Sequence, residues 1–175
     1  MPWKNGQGVT AQIDLQKDHD QPETAFLWRL STATISHDNF FSSFPGMARL
    51  LVVWKGQGLW LNDHYLEPFK PFSFSGDSTV RCRCVGDEVR DLGLIYDPLK
   101  MKVQMTQINL HKSTDVVHFN EGLYFLFAAK NDFKIKDIVV AEGDSLRFEG
   151  PGEIELTLPE GSLAQIFLIH LQNKG

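Results

Sequence analysis

Apolar and polar residues alternate with a period of two along most of the chain. In residues 25–35, AFLWRLSTATI, Trp28 and its apolar neighbours fall on one side, and Arg29, Ser31 and Ala33 fall on the other. This period is typical of a β-strand whose two faces are chemically different. We therefore predict a strand that turns an apolar face to a core and a polar face to a second environment.

Similar segments predict strands over the rest of the chain. Residues 50–54, LLVVW, are apolar on both sides, as in a buried strand, and the following KGQG predicts a hairpin into LWLN. At most, a short helical turn is expected near 37–44, capped by His37-Asp38-Asn39. Further strands are expected at 80–85, 91–96, 101–110, 116–119, 123–129, 135–141, 145–149, 153–158 and 163–171. Many short strands between Gly or Pro turns indicate an all-β sandwich or barrel.

Similar sequence patterns occur in the two halves of the chain. RLLVVWKGQGLWL followed by FSFSGDSTV resembles LYFLFAAKNDFKI followed by VVAEGDSLRF. Each half has an apolar strand, a polar turn, a second strand and a Gly-Asp turn. This order resembles the cupin type of double-stranded jelly roll. Two such barrels predict a bicupin, with an N-terminal barrel at 1–110, a C-terminal barrel at 111–175 and a polar linker near 110–115.

Composition and charge exclude several classes of function. The chain has 175 residues, 42% of them hydrophobic, and a formal net charge of −5. No basic stripe is present, so a nucleic-acid partner is not expected. No apolar run has the length of a membrane span and no leader is visible, so no membrane partner is expected. The two cysteines form no disulfide framework, and a cytoplasmic protein is the default expectation.

Several motifs occur in an order that resembles the bacterial HutD/Ves family. They are PWKNGQG (2–8), WRLS (28–31), FFSSFPGMARLLVVWKGQGLWL (40–61), FSFSGD (72–77) and GDEVRDL (86–92). The resemblance covers roughly residues 2–97. It implies a compact bicupin and an association with histidine utilisation or, in the Ves branch, with stress and cold responses. It also implies a regulatory, ligand-sensing role rather than a demonstrated reaction.

The resemblance also implies a set of ligand-binding residues. By position in the motifs these are Lys4, Asn5, Arg29, Ser31, Arg49 and Asp91. The PWKNG segment is expected to fold across the mouth of the first barrel and to bring Lys4 and Asn5 to that pocket. The chain departs from the family pattern at Gln7, Ala48, Gly93 and Ile95. A divergent or lost ligand preference is therefore an open alternative.

Arg29 is the residue on which the interpretation depends. An arginine inside a barrel is costly unless it is paired or meets an anion, and its planar fork favours bidentate contact with a carboxylate. Lys4 would add a second positive charge, while Asn5 and Ser31 would supply neutral hydrogen bonds. This set predicts a small anionic metabolite, such as a histidine-pathway carboxylate. Two alternatives are an architectural Arg29–Asp91 bridge and an Arg29 exposed to solvent.

Metal and catalytic sites are not predicted. The six histidines include no H-x-H pair, so the metal array typical of many cupins is missing from the sequence. Cys82 and Cys84 lie two apart without a second pair, which favours small buried residues over a metal site. No G-x-S-x-G elbow and no phosphate-binding glycine spacing are present. We therefore expect no metal, no cofactor and no catalytic residue.

Two functions remain open after these exclusions. The first is a non-enzymatic sensor or regulator that binds an anionic metabolite. The second is a metal-independent cupin enzyme, an isomerase or lyase, in which Asp91 and Lys4 act as base and acid. The missing histidine base and metal array favour the sensor. Either a monomer or a homodimer is compatible with the sequence.

Overall fold

The computed structural model describes residues 8–18 and 26–174, which form β-strands and connecting turns without an α-helix. The all-β prediction is thus confirmed. Among these residues no helix has the length and apolarity needed to cross a membrane. Chain contacts divide the protein into two compact units, with the division between Met101 and Lys102. Lys4 and Asn5, with the rest of the PWKNG segment, lie outside the described residues.

The described part of the first unit has nine strands in two antiparallel sheets. The strands are β1 (Gly8–Lys17), β2 (Phe26–Ile35), β3 (Asn39–Phe40), β4 (Ala48–Lys55), β5 (Leu59–Leu61), β6 (His64–Leu66), β7 (Phe72–Ser75), β8 (Arg81–Cys84) and β9 (Val89–Tyr96). One sheet has the order β1-β2-β9-β4-β7 and the other the order β3-β8-β5-β6. The pairs β5–β6 and β1–β2 join consecutive strands, whereas β2–β9, β4–β9, β4–β7, β5–β8 and β3–β8 join strands that are distant in sequence.

A hydrophobic core joins the two sheets of the first unit. The five-stranded sheet contributes Ile35, Leu51, Val53 and Val89, and the four-stranded sheet contributes Leu59, Leu61, Leu66 and Cys82. On β2 the apolar face predicted from the alternation is deeply buried, since Trp28 is 1% and Leu30 0% exposed. The Trp28 indole N–H donates to the Gln16 side chain of β1 at 2.8 Å. Arg29 and Ser31 lie on the opposite face of β2, which is the face that carries the core residue Ile35.

The second unit forms one six-stranded antiparallel sheet. Its strands are β10 (Met101–Leu110), β11 (Thr114–Lys130), β12 (Phe133–Ile135), β13 (Ile138–Val140), β14 (Ser145–Thr157) and β15 (Ala164–Asn173). Their order is β10-β15-β11-β14-β12-β13. The division at 101/102 and the sequence-based division at 110/111 differ by β10, because β10 is hydrogen-bonded to β15.

Several local predictions need correction. The helical turn expected near 37–44 is wrong, because this stretch holds the two-residue strand β3 and irregular backbone. The KGQG segment turns the chain as expected, but it leads from β4 in one sheet to β5 in the other, so the hairpin is wrong. The strand expected at 135–141 is instead the hairpin formed by β12 and β13.

Two long strands were predicted as separate pieces, and the strands β1, β6 and β7 were missed. β11 runs through 116–129 with a bulge between Phe119 and Gly122, and β14 runs through 145–157 as its partner. β1 was not predicted, although its sequence GVTAQIDLQK alternates between apolar and polar residues. It pairs along β2 and completes the edge of the sheet that carries Arg29.

Candidate functional site

The first unit contains a cavity of about 420 Å³ against its five-stranded sheet. Arg29 and Ser31 from β2, Asp91 from β9 and Arg49 from β4 all line it. The structure therefore brings together four of the six ligand-binding residues predicted from the sequence. Lys4 and Asn5 lie outside the described residues, so their place in the site stays a prediction.

Strand register explains why these side chains share one wall. Antiparallel partners point to the same face, so three strands contribute one residue each to a row across the sheet. The three rows are Arg29–Ile95–Arg49, Ser31–Gly93–Leu51 and Ala33–Asp91–Val53. The arginines thus stand in one row on either side of Ile95, and Asp91 lies two rows away from them.

Gly93 leaves the middle of this wall empty. It lies between Ser31 and Leu51, and a Cβ added to it would come 3.3 Å from Leu51 Cδ1. Both Gly93 and Ile95 line the cavity, and both depart from the family pattern. These two departures therefore concern the wall of the cavity, which has neither a polar group nor a bulky side chain at Gly93.

Arg29 enters the cavity between aromatic rings. Its guanidinium carbon lies 5.0 Å from the centre of the Phe44 ring and 5.5 Å from that of Phe26. Its Nε is buried and has no hydrogen-bond partner among the described residues. Burial lowers the pKa of Arg29, as expected for a cation removed from water. Neither the Arg29–Asp91 bridge nor a fully exposed Arg29 is observed, since the side chain is half-buried and makes no ion pair with Asp91.

Arg49 is held in a similar way from the other side. Its guanidinium carbon lies 4.6 Å from the ring centre of Phe41, 5.1 Å from that of Phe74 and 5.8 Å from that of Phe44. Nη1 donates to the carbonyl of Ser42 at 3.2 Å. Burial lowers the pKa of Arg49 to about 10; Asp91 opposes this shift, and the like charge of Arg29 adds to it. Arg49 thus remains protonated at neutral pH.

Backbone hydrogen bonds fix the loop that carries Phe44. The Phe44 N–H donates to Gly76 O at 2.8 Å, and the Gly76 N–H donates to Met47 O at 2.7 Å. The Asp77 carboxylate accepts from the Gly46 N–H at 3.0 Å, which lowers the pKa of Asp77. The FSSFPG and FSFSGD motifs therefore form one clamp that places the Phe44 ring near both arginines.

Asp91 is the buried acid of the site, with 4% of its surface exposed. Its Oδ1 accepts from the Ala33 N–H at 3.1 Å, and its carbonyl accepts from Thr32 and Trp54. Burial raises the pKa of Asp91 to about 7, against the smaller opposing effects of Arg49 and the Ala33 N–H. A buried carboxyl that exchanges its proton near neutrality can either donate or accept a hydrogen bond.

Some cavity residues were missed at the level of sequence. Thr10, Asn39, Phe41, Ser42 and Phe44 line the cavity together with the predicted residues. The FSSFPG motif was a usable signal, since it contains Ser42 and Phe44. The sequence pattern did not show that this irregular segment turns Phe41, Ser42 and Phe44 toward the cavity, because strand alternation carries no information about a loop.

Metal-ligating residues do not gather in the described ranges, where no group of three His, Cys, Asp or Glu side chains could hold an ion. Cys82 is buried, and burial raises its pKa to about 12, so that its thiol is unreactive at neutral pH. His118 lies 3.4 Å from Glu153, and His170 stacks on Tyr124. The metal content of the protein stays a prediction.

Comparisons with solved structures identify the fold. HutD from Pseudomonas fluorescens SBW25, described with a formate condition, is 29% identical and superposes with a TM-score of 0.82, covering 100% of this chain and 94% of that chain. A cupin 2 conserved barrel domain protein from Leptotrichia buccalis is 11% identical, with a TM-score of 0.60 over 98% of this chain and 92% of that chain. The predicted cupin fold is thus confirmed, and the two sheet groups are consistent with a bicupin.

Sequence comparisons identify the family. A relative from Pseudomonas putida, called an uncharacterized 21.2 kDa protein in the hutC 3' region, is 34% identical over 179 residues, which is 97% of this chain and 92% of the relative. The sequence model of the HutD family matches residues 1–165. These matches agree with the motif order, and they span both units. The chain therefore belongs to the HutD family.

Proposed function

We propose that this protein binds a small anionic metabolite, a carboxylate, in the cavity of its first unit and acts as a non-enzymatic sensor. One observation carries the proposal. Arg29 and Arg49 line the same cavity, and neither forms an ion pair with a carboxylate of the described residues. Their partners are aromatic faces and one carbonyl, which leave N–H groups able to meet a ligand.

The electrostatics of the wall favour an anion. The two arginines disfavour each other's charge, as the effect of Arg29 on the pKa of Arg49 indicates. An anion between them would relieve this repulsion and would accept from the Arg29 Nε–H, which otherwise stays buried without a partner. Ser31 would add a neutral hydroxyl at the next row of the sheet. A carboxylate fits best because a guanidinium can hold both of its oxygens.

The biological setting is inferred from the relatives. The Pseudomonas putida relative is named for the 3' region of hutC, which supports a role connected with histidine utilisation. The HutD structure described with a formate condition makes formate, the smallest carboxylate, a suitable first probe. We infer that occupancy of the cavity, rather than turnover, is the signal, because no metal array or histidine base is present in the motifs.

A thermal-shift screen tests binding with matched neutral ligands. Formate, acetate, glutamate and urocanate are compared with formamide, acetamide, glutamine and the urocanate amide. A ligand that binds the folded state raises the melting temperature by mass action, so the acids should raise it and the amides should not. Equal shifts from acids and amides, or no shift from any acid, would contradict the proposal.

Two arginine variants locate the effect in the cavity. Arg29→Ala removes one cavity cation, whereas Arg83→Ala removes an exposed cation that stacks on Trp60 and does not line the cavity. The acid-induced shift should disappear in the first variant and persist in the second. Loss in both variants would indicate a general charge effect instead of a site.

The second candidate, a metal-independent isomerase or lyase, is favoured by one feature of Asp91. Its carboxyl lines the cavity, and its pKa of about 7 suits a general base. If Asp91 abstracts a carbon-bound proton, acids incubated with the protein in D₂O should gain deuterium, and Asp91→Asn should abolish the exchange. A bound acid that gains no deuterium supports the sensor instead.

A further inference from the structure

We propose that the anion binds together with one proton, that Asp91 carries this proton, and that the cavity thus recognises the equivalent of an undissociated acid. This step rests on the proposed function, since it assumes that an anion occupies the arginine row. It assigns to Asp91 a role in recognition that differs from the role of the arginines. The arginines attract the negative charge, and Asp91 sets the protonation state that accompanies it.

Position gives Asp91 access to the ligand. Its row is four residues along β9 from the arginine row, a distance of about 13 Å between backbone rows at the rise of a β-strand. Long arginine side chains and the missing side chain of Gly93 leave one continuous cavity between the two rows. Asp91 Oδ1 accepts from the Ala33 N–H. Oδ2 makes no hydrogen bond with any described residue, so it is the oxygen left to carry a proton.

The charged and titratable groups around Asp91 come from three other strands. Arg49 on β4 favours its ionised form directly, and Arg29 on β2 acts on Arg49. Cys82 and Cys84 on β8 are close enough for the charge of Asp91 to act on their thiols. Burial raises the pKa of both thiols, so they are neutral near pH 7 and do not compete for the proton. Burial therefore sets most of the pKa of Asp91, and Arg49 is the charged group that opposes it.

A bound anion should raise the pKa of Asp91 further. Without a ligand, Arg49 partly offsets the burial of the carboxylate, and the pKa of Asp91 is about 7. A bound anion neutralises the arginines and adds a like charge to the same low-dielectric cavity, so the pKa of Asp91 must rise further. At a pH between the free and bound values, binding then takes up a proton.

Thermodynamic linkage turns this uptake into a pH dependence. If proton uptake accompanies binding, then raising the pH weakens the affinity, by up to about tenfold per pH unit when one full proton is taken up. The decline should begin near pH 7, where free Asp91 loses its proton. Below that pH the proton is already present, and the affinity should level off.

Calorimetric titration with formate measures both quantities. Titrations at pH 8 in two buffers of different ionisation enthalpy should report a net uptake of protons, up to one per formate bound. The same titrations from pH 6 to pH 9 should show the loss of affinity above pH 7. Formate binding without proton uptake would overturn this inference and leave the proposed function intact. No formate binding at any pH, with no acid raising the melting temperature, would overturn the proposed function itself.

Two variants assign the proton. Asp91→Asn should bind formate without proton uptake and with an affinity that does not change with pH. Asp38→Asn, which removes an exposed acid paired with Arg81, should keep the uptake of the wild type. Uptake that persists in Asp91→Asn would overturn the assignment.

If Asp91→Asn fails to fold, a measurement on the wild type still tests the inference. In ¹³C NMR of the aspartate carboxyls, one signal should titrate near pH 7 and move to higher pH when formate is added. A signal that titrates near pH 7 but does not move with formate would overturn the inference.

Discussion

Aromatic side chains have different roles in the two units. In the second unit Phe119, Tyr124, Phe148 and His170 pack on one another, with ring centres 4.3 to 5.4 Å apart, and two of these rings are buried. In the first unit Phe rings cover the guanidinium faces of Arg29 and Arg49 and leave a cavity beside them. Aromatic rings thus pack against each other in the second unit, whereas in the first unit they pack against arginines and keep these charges inside it.

This difference depends on a few inward positions rather than on the fold. Both units are antiparallel sheets with alternating faces, and Tyr124 lies on the same face of β11 as the core residue Leu126. At the corresponding kind of position on β2, the first unit has Arg29. A sheet of this kind can therefore present either a sealed core or a ligand cavity, and the side chains of its inward row decide which.

The largest effect is expected where the rings fill the second unit. Tyr124→Ala removes a ring that is 4% exposed and stacks on His170, so it should lower the free energy of unfolding by about 3 to 5 kcal/mol. Tyr65→Ala is the matched control, because Tyr65 is 37% exposed and should cost much less. Urea unfolding of both variants measures the difference. Equal losses would show that the stack does not stabilise the unit.

Asp91→Asn should remove a pH dependence of stability that belongs to the first unit. Folded Asp91 keeps its proton up to a pKa of about 7, against an ordinary value of 3.8. Between these values the folded state binds more protons than the unfolded state, so stability falls as pH rises. At about 1.4 kcal/mol per pKa unit, wild type should lose up to about 4 kcal/mol relative to Asp91→Asn between pH 4 and pH 7.

Urea unfolding at several pH values tests this, with Asp77→Asn as a control of opposite sign. The pKa of Asp77 is lowered by the Gly46 N–H, so its contribution to stability is present at neutral pH and lost as the pH falls. A wild type whose stability relative to Asp91→Asn stays constant from pH 4 to pH 7 would contradict the shift assigned to Asp91.

Arg29→Ala should weaken ligand binding to the first unit without a large loss of stability. Loss of a desolvated charge contact should weaken acid binding by about 2 to 4 kcal/mol, and Arg29→Lys should recover only part of it. The free energy of unfolding should change by about 1 kcal/mol or less, because no carboxylate is left without a partner and only ring contacts are lost. Calorimetric titration and urea unfolding give the two values. A large loss of stability without a change in affinity would refute the division of roles.

Gly93→Ala should partly fill the cavity of the first unit and have the smallest effect on ligand binding. The added Cβ would come 3.3 Å from Leu51 Cδ1, so a small shift of the leucine accommodates it. Binding of glutarate should weaken by about 1 kcal/mol more than binding of formate, roughly the worth of one methylene in a pocket. Gly152→Ala, where the Cβ meets nothing within 4 Å, is the control. Equal effects on both acids would show that Gly93 does not limit ligand size.

Sequence alone predicted the chemistry of single strands well. The alternation in 25–35 placed Arg29 and Ser31 on one face, and both line the cavity. It could not predict which residues from other strands share their rows, because the register of distant strands is fixed by tertiary packing. Arg49 and Asp91 entered the candidate site through the family resemblance, and the register of β9 explains their meeting with Arg29.

The errors have physical causes as well. β1 alternates as clearly as β2, but its apolar residues are exposed or only partly buried, and its position at the sheet edge depends on pairing with β2. β11 was divided because polar residues 120–121 interrupt its apolar pattern, where the strand in fact bulges. The residues near 37–44 suggested a helix cap, yet the Asn39–Phe40 strand pairs with β8. In each case a contact distant in sequence outweighed the local signal.

Gly76 offers a marker for annotating related genomes. A Cβ at this position would lie 2.5 Å from the carbonyl oxygen of Phe44, so any other residue would force the clamped loop apart. Because this constraint comes from backbone atoms, it is the same whatever molecule the cavity accepts. A glycine at this position should therefore diagnose the loop arrangement across homologues, while Arg29, Arg49, Asp91 and Gly93 should sort those homologues into groups of different ligand preference.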